Sequence, residues 1–146
     1  MLEDGVKFHL ENQAGDGGFP GTVKVDVFYR LNSKINSLLV EYIASTDEDT
    51  PLDLTNHAYF NLAGEETNTK IYNHSVKIFS DYTLDLNPDQ VLVTGKINSV
   101  NQTKYDFRNY TRLGDRINYE GKWPMDGFDN YFISNQQSGS RIIASY

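Results

Sequence analysis

Residues 23–31 read Val23-Lys24-Val25-Asp26-Val27-Phe28-Tyr29-Arg30-Leu31, a stretch in which apolar and polar side chains alternate. Its odd-numbered positions are all apolar, whereas the even-numbered ones include Lys24, Asp26 and Arg30. A period of two that persists over this length places the apolar side chains on one face of an extended backbone. The stretch therefore predicts a β-strand with one buried face.

Shorter alternating runs lie on both sides of this stretch. Residues 6–10 alternate before it, beyond a glycine-rich turn at 14–21. Residues 38–44 alternate after it, beyond a polar loop at 32–36. Two alternating runs joined by a short polar loop predict an antiparallel hairpin over residues 23–45.

The second half of the chain carries weaker strand patterns. We expect strands at 71–79, around Ile133 and at 141–145. Residues 81–88 are expected to form a loop with strand-like ends, followed by renewed pairing at 91–93. No window has the spacing of a long amphipathic helix, although residues 111–117 have room for one helical turn. With frequent turn residues and no linker, the chain is predicted to be all-β and to form one piece over residues 1–146.

Composition excludes several classes of partner and chemistry. The 146 residues include 20 acidic and 13 basic side chains, a net charge of -7, which argues against nucleic acid and anionic lipid as partners. No apolar run approaches the ~18 residues that cross a bilayer, and the first residues do not resemble a signal peptide. The chain has no cysteine, so it has no disulfide or thiolate chemistry, and a cytoplasmic location is expected.

Two loops resemble ligand motifs, and neither satisfies the motif. Residues 15–21 have Pro20 where the dinucleotide fingerprint needs glycine, and no helix is predicted to follow. Asp85 opens a run similar to a calcium loop, but Gln90 stands where that loop requires glycine. The three histidines also lack zinc-ligand spacing. The sequence therefore predicts neither a cofactor nor a metal site.

The histidines differ in their surroundings. His9 and His74 are expected at the surface. His57 lies in Thr55-Asn56-His57-Ala58-Tyr59-Phe60-Asn61-Leu62, where polar side chains interleave with large aromatic ones. Such a segment suits a hydrogen-bonded structural histidine, and it equally suits a sugar site, where rings stack on C–H faces and polar groups bind hydroxyls.

Five blocks, in order along the chain, resemble the aldose 1-epimerase (galactose mutarotase) family. The most specific is the Thr-Asn-His-x-Tyr-Phe-Asn-Leu pattern at 55–62. The blocks are Gly17-Gly18-Phe19-Pro20-Gly21, residues 53–64, Val93-Thr94-Gly95-Lys96-Ile97, Tyr105-Asp106-Phe107-Arg108 and Gly127-Phe128-Asp129-Asn130-Tyr131-Phe132. The resemblance implies an antiparallel β-sandwich (galactose mutarotase-like supersandwich), of which residues 1–146 form a part.

The resemblance also implies a reaction, the interconversion of the α and β anomers of hexoses such as galactose and glucose without a cofactor. A base removes the anomeric proton while an acid protonates the ring oxygen, so that the ring opens and recloses. By resemblance His57 is that acid, Tyr59 lines the pocket and Asp129 accepts hydrogen bonds from sugar hydroxyls. An imidazole suits the acid role because it titrates near neutrality.

The chain also departs from the family pattern. The family's base is a glutamate near the C-terminus, whereas the last glutamate here is Glu120, before Asp129. The family's sugar-holding Asn-Arg pair and second histidine have no counterpart, and Asn130 and Ala58 replace the usual His and Ser. We therefore expect a central fragment, impaired alone and prone to self-associate. An enzyme completed by another chain, a non-catalytic sugar-binding or regulatory protein, and a non-functional remnant are all consistent with the sequence.

Overall fold

The computed structural model describes residues 5–64, 70–87, 92–117, 128–135, 139 and 142–145. The chain divides into two compact units, Met1–Ala58 and Tyr59–Tyr146. The single partial domain expected over residues 1–146 stays a prediction. Across these described ranges, no helix has the length and apolar character needed to span a membrane.

The first unit is a three-stranded antiparallel sheet in the order β1-β2-β3. Its strands are β1 (Gly5–Asn12), β2 (Val23–Asn32) and β3 (Ser37–Thr46). The register pairs Leu10 with Val25 across β1 and β2, and Val25 with Ala44 across β2 and β3. The predicted hairpin over residues 23–45 is therefore confirmed.

Antiparallel register gathers the apolar side chains of this sheet on one face, since directly opposed residues share a face. On this face Val25, near the start of the middle strand β2, is only 6% exposed. Its direct partner Leu10 is 60% exposed, as is Leu38, and Phe8 is 57% exposed. The apolar face is therefore open to solvent over most of its area, its margins included.

The opposite face carries most of the charged side chains of this sheet, among them a cluster around Asp26. The Asp26 carboxylate is contacted by Lys7 Nζ at 2.7 Å and by His9 Nδ1 at 2.6 Å. These hydrogen bonds, Lys7 first and then His9, lower the pKa of Asp26. His9 is exposed, which confirms its predicted place at the surface.

The glycine-rich turn before β2 depends on Gly21. This residue is buried and has a φ of +79°, and a Cβ atom there would lie 2.7 Å from Thr46 Oγ1. The next residue, Thr22, donates its backbone N–H to Asp47 Oδ1 at 2.7 Å. A side chain at position 21 would therefore be strained and would collide with the end of β3.

The second unit contains two further antiparallel sheets, in the orders β7-β4-β9 and β6-β5-β8. A 3-10 turn at Ile71–Asn73 precedes β4, and a short helix α1 at Gly114–Ile117 follows β7. The strands are β4 (Ser75–Ile78), β5 (Tyr82–Leu86), β6 (Val93–Ser99), β7 (Thr111–Arg112), β8 (Phe132–Ile133) and β9 (Ala144–Ser145).

The strand expected at 71–79 is confirmed only at β4, because Ile71–Asn73 form a 3-10 turn, and the strand expected around Ile133 is β8. β5 occupies Tyr82–Leu86, so most of the predicted loop at 81–88 is a strand. The pairing of β5 with β6 is irregular between Leu84 and Leu86, where Asp85 faces residues 94–96 of β6. Thr94 Oγ1 and Asn98 Nδ2 donate to the Asp85 carboxylate at 3.0 Å and 2.8 Å. These hydrogen bonds, Asn98 first, lower the pKa of Asp85.

Of the pairing expected at 91–93, only Val93 lies in a strand, β6, which continues to Ser99. Val91 lies outside the described residues. The helical turn expected within 111–117 is confirmed as α1. Of the last predicted strand, β9 covers only Ala144–Ser145, and Arg141 lies outside the described residues.

The core of the second unit centres on Phe107, whose side chain is 2% exposed. The two chain neighbours of Phe107 bind each other. The Asp106 carboxylate accepts two hydrogen bonds from the Arg108 guanidinium: Nε donates to Oδ1 at 2.8 Å, and Nη2 donates to Oδ2 at 2.7 Å. Arg108 also contacts Asn101 Oδ1 at 2.8 Å. The guanidinium hydrogen bonds are the main reason that the pKa of Asp106 falls to about 2.

The open margins of the first sheet generate a prediction about association. We expect the isolated chain to self-associate, because its exposed apolar side chains lose contact with water when two copies meet. Phe8→Gln combined with Leu38→Gln should shift the chain towards monomer in size-exclusion chromatography. Lys24→Gln, on the opposite face, is the control. A sharp monomer peak of the unsubstituted chain, no binding of a dye for apolar surface and a cooperative melt would contradict the expectation.

The Asp106–Arg108 pair predicts acid sensitivity of the second unit. The pKa of Asp106 is lowered to about 2 in the folded chain, so its stabilisation is complete above about pH 4 and is lost as the pH falls from about 4 to about 2. Asp106→Asn should lower the free energy of unfolding at pH 6 by about 1 kcal/mol and flatten its acid dependence.

Chemical denaturation at pH 6, 4 and 2.5 measures this effect. Asp115→Asn is the matched control, because that side chain is 65% exposed and lies 4.0 Å from Arg112. Equal acid dependence in the Asp106 and Asp115 variants would show that the Arg108 pair does not stabilise the fold.

Candidate functional site

His57 lies near the end of the first unit, in a segment without regular secondary structure. The backbone N–H of Ala58 donates to Asn56 Oδ1 at 3.1 Å. An Asn side chain that binds the backbone two residues on forms an Asx turn, and His57 is the central residue of this one. The side chain of His57 is exposed, so the turn presents an imidazole to solvent.

The residue two positions before His57 borders the apolar face of the first sheet. Thr55 lines a shallow hollow of about 650 Å³. The other lining residues are Val6, Phe8, Val27, Tyr29 and Tyr42, all on strands of that sheet. The hollow is mainly aromatic and aliphatic, with the Tyr and Thr hydroxyls as its polar groups, a composition typical of small-molecule sites.

Tyr59 begins the second unit, and its side chain is 88% exposed. Shortly after it, Asn61 shapes a turn: Ala63 N–H donates to Asn61 Oδ1 at 3.0 Å, and Gly64 N–H donates to Asn61 O at 3.1 Å. Gly64 has a φ of +87°. The turn ends the aromatic segment and leaves the Tyr59 ring accessible to a ligand.

The placement of His74 corrects the expectation that it lies free at the surface. His74 is only partly exposed, and both of its ring nitrogens make contacts. Leu62 N–H donates to Nε2 at 2.8 Å, and Nδ1 lies 3.0 Å from Ile71 O. Sequence pattern alone misses this role because it depends on a partner twelve residues away.

Asp129 is exposed and follows an aromatic anchor in the core of the second unit. The ring of Phe128 packs edge-on against Phe107, with centroids 5.0 Å apart, and against Tyr105 at 6.3 Å. On the other side of Asp129, Phe132 lies 6.4 Å from Phe107. The aromatic contacts of Phe128 and Phe132 thus fix the backbone on either side of the carboxylate. Gly127, the first residue of this block, lies outside the described residues.

Hydrogen bonds add a second restraint on the Asp129 segment. Leu84 N–H donates to Tyr131 O at 3.0 Å, and Tyr131 N–H donates to Asn130 Oδ1 at 2.7 Å. Ser80, 2% exposed, places its hydroxyl 2.5 Å from Ile133 O. Ser80 is not predicted from the sequence, where it stands out only as a small polar residue between two strands.

All three predicted site residues lie within the described part of the chain. Tyr59 and Asp129 belong to the second unit, and His57 belongs to the first. All three side chains are exposed and lie outside the strands, in backbone that neighbouring side chains restrain. This arrangement leaves their polar and aromatic groups available to a ligand.

Comparison with known proteins supplies independent information. The sequence model of the family described as "Aldose 1-epimerase" matches residues 2–145. Galactose mutarotase of Bos taurus is 38% identical over 145 residues, which cover 99% of this chain and 40% of that protein. Aldose 1-epimerase of Haemophilus influenzae is 34% identical over 134 residues, or 92% of this chain and 39% of that protein.

Solved structures agree with these sequence matches. An aldose epimerase homologue from C. elegans superposes with a TM-score of 0.81 at 29% identity, covering 99% of this chain and 42% of that one. Galactose 1-epimerase from Lactobacillus acidophilus gives a TM-score of 0.79 at 25% identity, with the same coverage. The predicted all-β, galactose mutarotase-like antiparallel fold is confirmed, and the chain spans about 40% of the length of the relatives that it matches. The chain belongs to the aldose 1-epimerase family.

Proposed function

We propose that this chain contributes the proton donor and part of the sugar-binding surface of an aldose 1-epimerase acting on hexoses such as galactose and glucose. The observation that carries the proposal is the exposed imidazole of His57, held by the Asn56 turn within the most specific block of the family resemblance. The names of its relatives, galactose mutarotase and aldose 1-epimerase, support the same reaction.

In the proposed reaction His57 donates a proton to the ring oxygen of the hexose while a base takes the proton of the anomeric hydroxyl. The bond between the ring oxygen and the anomeric carbon breaks and leaves an open-chain aldehyde. The aldehyde end rotates, and the ring closes on its other face as the two protons return. Net composition is unchanged, so the chemistry needs only an acid and a base.

Tyr59 and Asp129 are proposed to bind the sugar. The exposed Tyr59 ring offers a flat apolar surface to a C–H face of the sugar, and Asp129 accepts hydrogen bonds from hydroxyls. The hexose is the only partner that we propose for this site. A cytoplasmic location stays a prediction that rests on the cysteine-free sequence.

A non-catalytic hexose-binding or regulatory role is the second candidate. It is favoured by the exposure of the Tyr59 ring and the Asp129 carboxylate, which suffices for binding a hexose without proton transfer. Binding of galactose with no acceleration of mutarotation would identify this role.

We predict that the isolated chain accelerates mutarotation of glucose or galactose very little. Acid–base assistance contributes about 10²–10⁴-fold, and most of it requires both partners. Polarimetry with freshly dissolved α-D-glucose or α-D-galactose measures the rate. A rate near that of a complete family enzyme would overturn this prediction.

The role of His57 is tested in a chimaera in which this chain replaces the matching 145 residues of the Bos taurus galactose mutarotase. We predict that His57→Gln lowers kcat by about 10²-fold or more and changes KM little, because proton donation matters mainly in the transition state. His9→Gln is the matched control, since His9 lies exposed on β1 and contacts Asp26. Equal losses in both variants would show that His57 is not the acid.

A further inference from the structure

His74 is a titratable side chain that the proposed reaction does not use, yet both of its ring nitrogens are engaged. Nε2 lies 2.8 Å from Leu62 N, and Nδ1 lies 3.0 Å from Ile71 O. The first partner belongs to the segment that begins at Tyr59, and the second belongs to the 3-10 turn before β4. The imidazole therefore bridges two separate parts of the second unit.

The chemistry of the two partners determines the tautomer of His74. A backbone N–H can only donate, so Nε2 must carry a lone pair to accept the hydrogen bond from Leu62. The proton of the neutral ring then resides on Nδ1, where the carbonyl of Ile71 is in place to accept it. Each nitrogen thus has a partner of the correct polarity, and the ring cannot rotate by half a turn without losing both hydrogen bonds.

The Tyr59–Leu62 segment gains little stability from burial. The side chains of Tyr59, Phe60 and Leu62 are 88%, 62% and 64% exposed. Where apolar side chains remain in water, directional polar contacts decide the path of the backbone. The Asn61 turn shapes the segment internally, and the contact with His74 attaches it to the rest of the second unit.

We propose that His74 is a positioning residue of the sugar site. Its Nε2 atom accepts the hydrogen bond from the Leu62 backbone amide. That hydrogen bond fixes the path of the backbone from which the Tyr59 side chain extends. The inference rests on the proposed function, because the proposed function assigns sugar binding to Tyr59. His74 touches neither the sugar nor the reacting atoms in this proposal.

The test compares His74→Phe with His74→Gln in the full 146-residue chain. Phenylalanine keeps the ring volume and removes both polar atoms, whereas Gln Oε1 accepts a hydrogen bond near the position of Nε2. Hydrogen exchange with residue-level mass spectrometry reports on the Leu62 amide. Chymotrypsin cleavage after Tyr59 and Phe60 reports on the segment as a whole.

We expect His74→Phe to increase Leu62 exchange and cleavage after Tyr59 about fivefold, the factor that corresponds to one ordinary hydrogen bond. His74→Gln should restore most of the protection. Selective ¹⁵N-histidine NMR of the unsubstituted chain should show His74 protonated at Nδ1 only. His9→Phe, which replaces an exposed histidine on β1, should leave the segment unchanged.

Four results would overturn the proposal. The first three are unchanged protection in His74→Phe, exchange in His74→Gln as fast as in His74→Phe, and a His74 proton on Nε2. Cleavage after Phe8, an exposed residue on β1 in the first unit, is the internal control. The fourth result is an increase there equal to that after Tyr59, which would mean that His74 supports the whole fold. Failure of the mutarotation assay would instead bear on His57 and the hexose, so the two failures are distinguishable.

Discussion

Antiparallel pairing forces directly opposed residues onto the same face of a sheet, and a slip by one residue would turn every side chain over. In the first unit this constraint places Val25 of the middle strand between Leu10 and Ala44. In the second unit the buried Thr83 pairs with Asn98 on one side and with Phe132 on the other. The register of β5 thereby fixes β8, and β8 fixes the backbone that follows Asp129.

The strands themselves do not carry the predicted chemistry. His57, Tyr59 and Asp129 lie in irregular backbone, where no ladder of hydrogen bonds restrains the chain. Side chains from neighbouring positions restrain it instead, since Asn56 shapes the turn around His57 and His74 holds the amide of Leu62. Functional groups on loops keep a defined geometry only where such contacts exist.

The sequence predicts those features that depend on local periodicity or on a block of specific residues, and it misses those that depend on distant partners. Nine alternating residues are sufficient for β2. The strand β5 is missed because its alternation, Tyr82, Leu84 and Leu86 against Thr83 and Asp85, lasts only five residues. Thr94 and Asn98, which bind the Asp85 carboxylate, lie on β6, and no local pattern connects them with it. His74 has the pattern of a surface histidine because neither Leu62 nor Ile71 stands at a spacing that sequence pattern connects with it.

The exposure of the proposed site residues suits the hexose that we propose as their ligand. A hexose combines weakly apolar C–H faces with many hydroxyls, so its binding uses an aromatic ring together with hydrogen-bonding groups. The side chains of Tyr59 and Asp129 are exposed, whereas Phe128 and Phe132 on either side of Asp129 pack against Phe107. Aromatic anchors therefore flank the proposed sugar-binding carboxylate along one short segment. Under the proposed function, a substitution at an anchor would act on sugar binding through the position of the carboxylate, and a substitution at Asp129 would act on it directly.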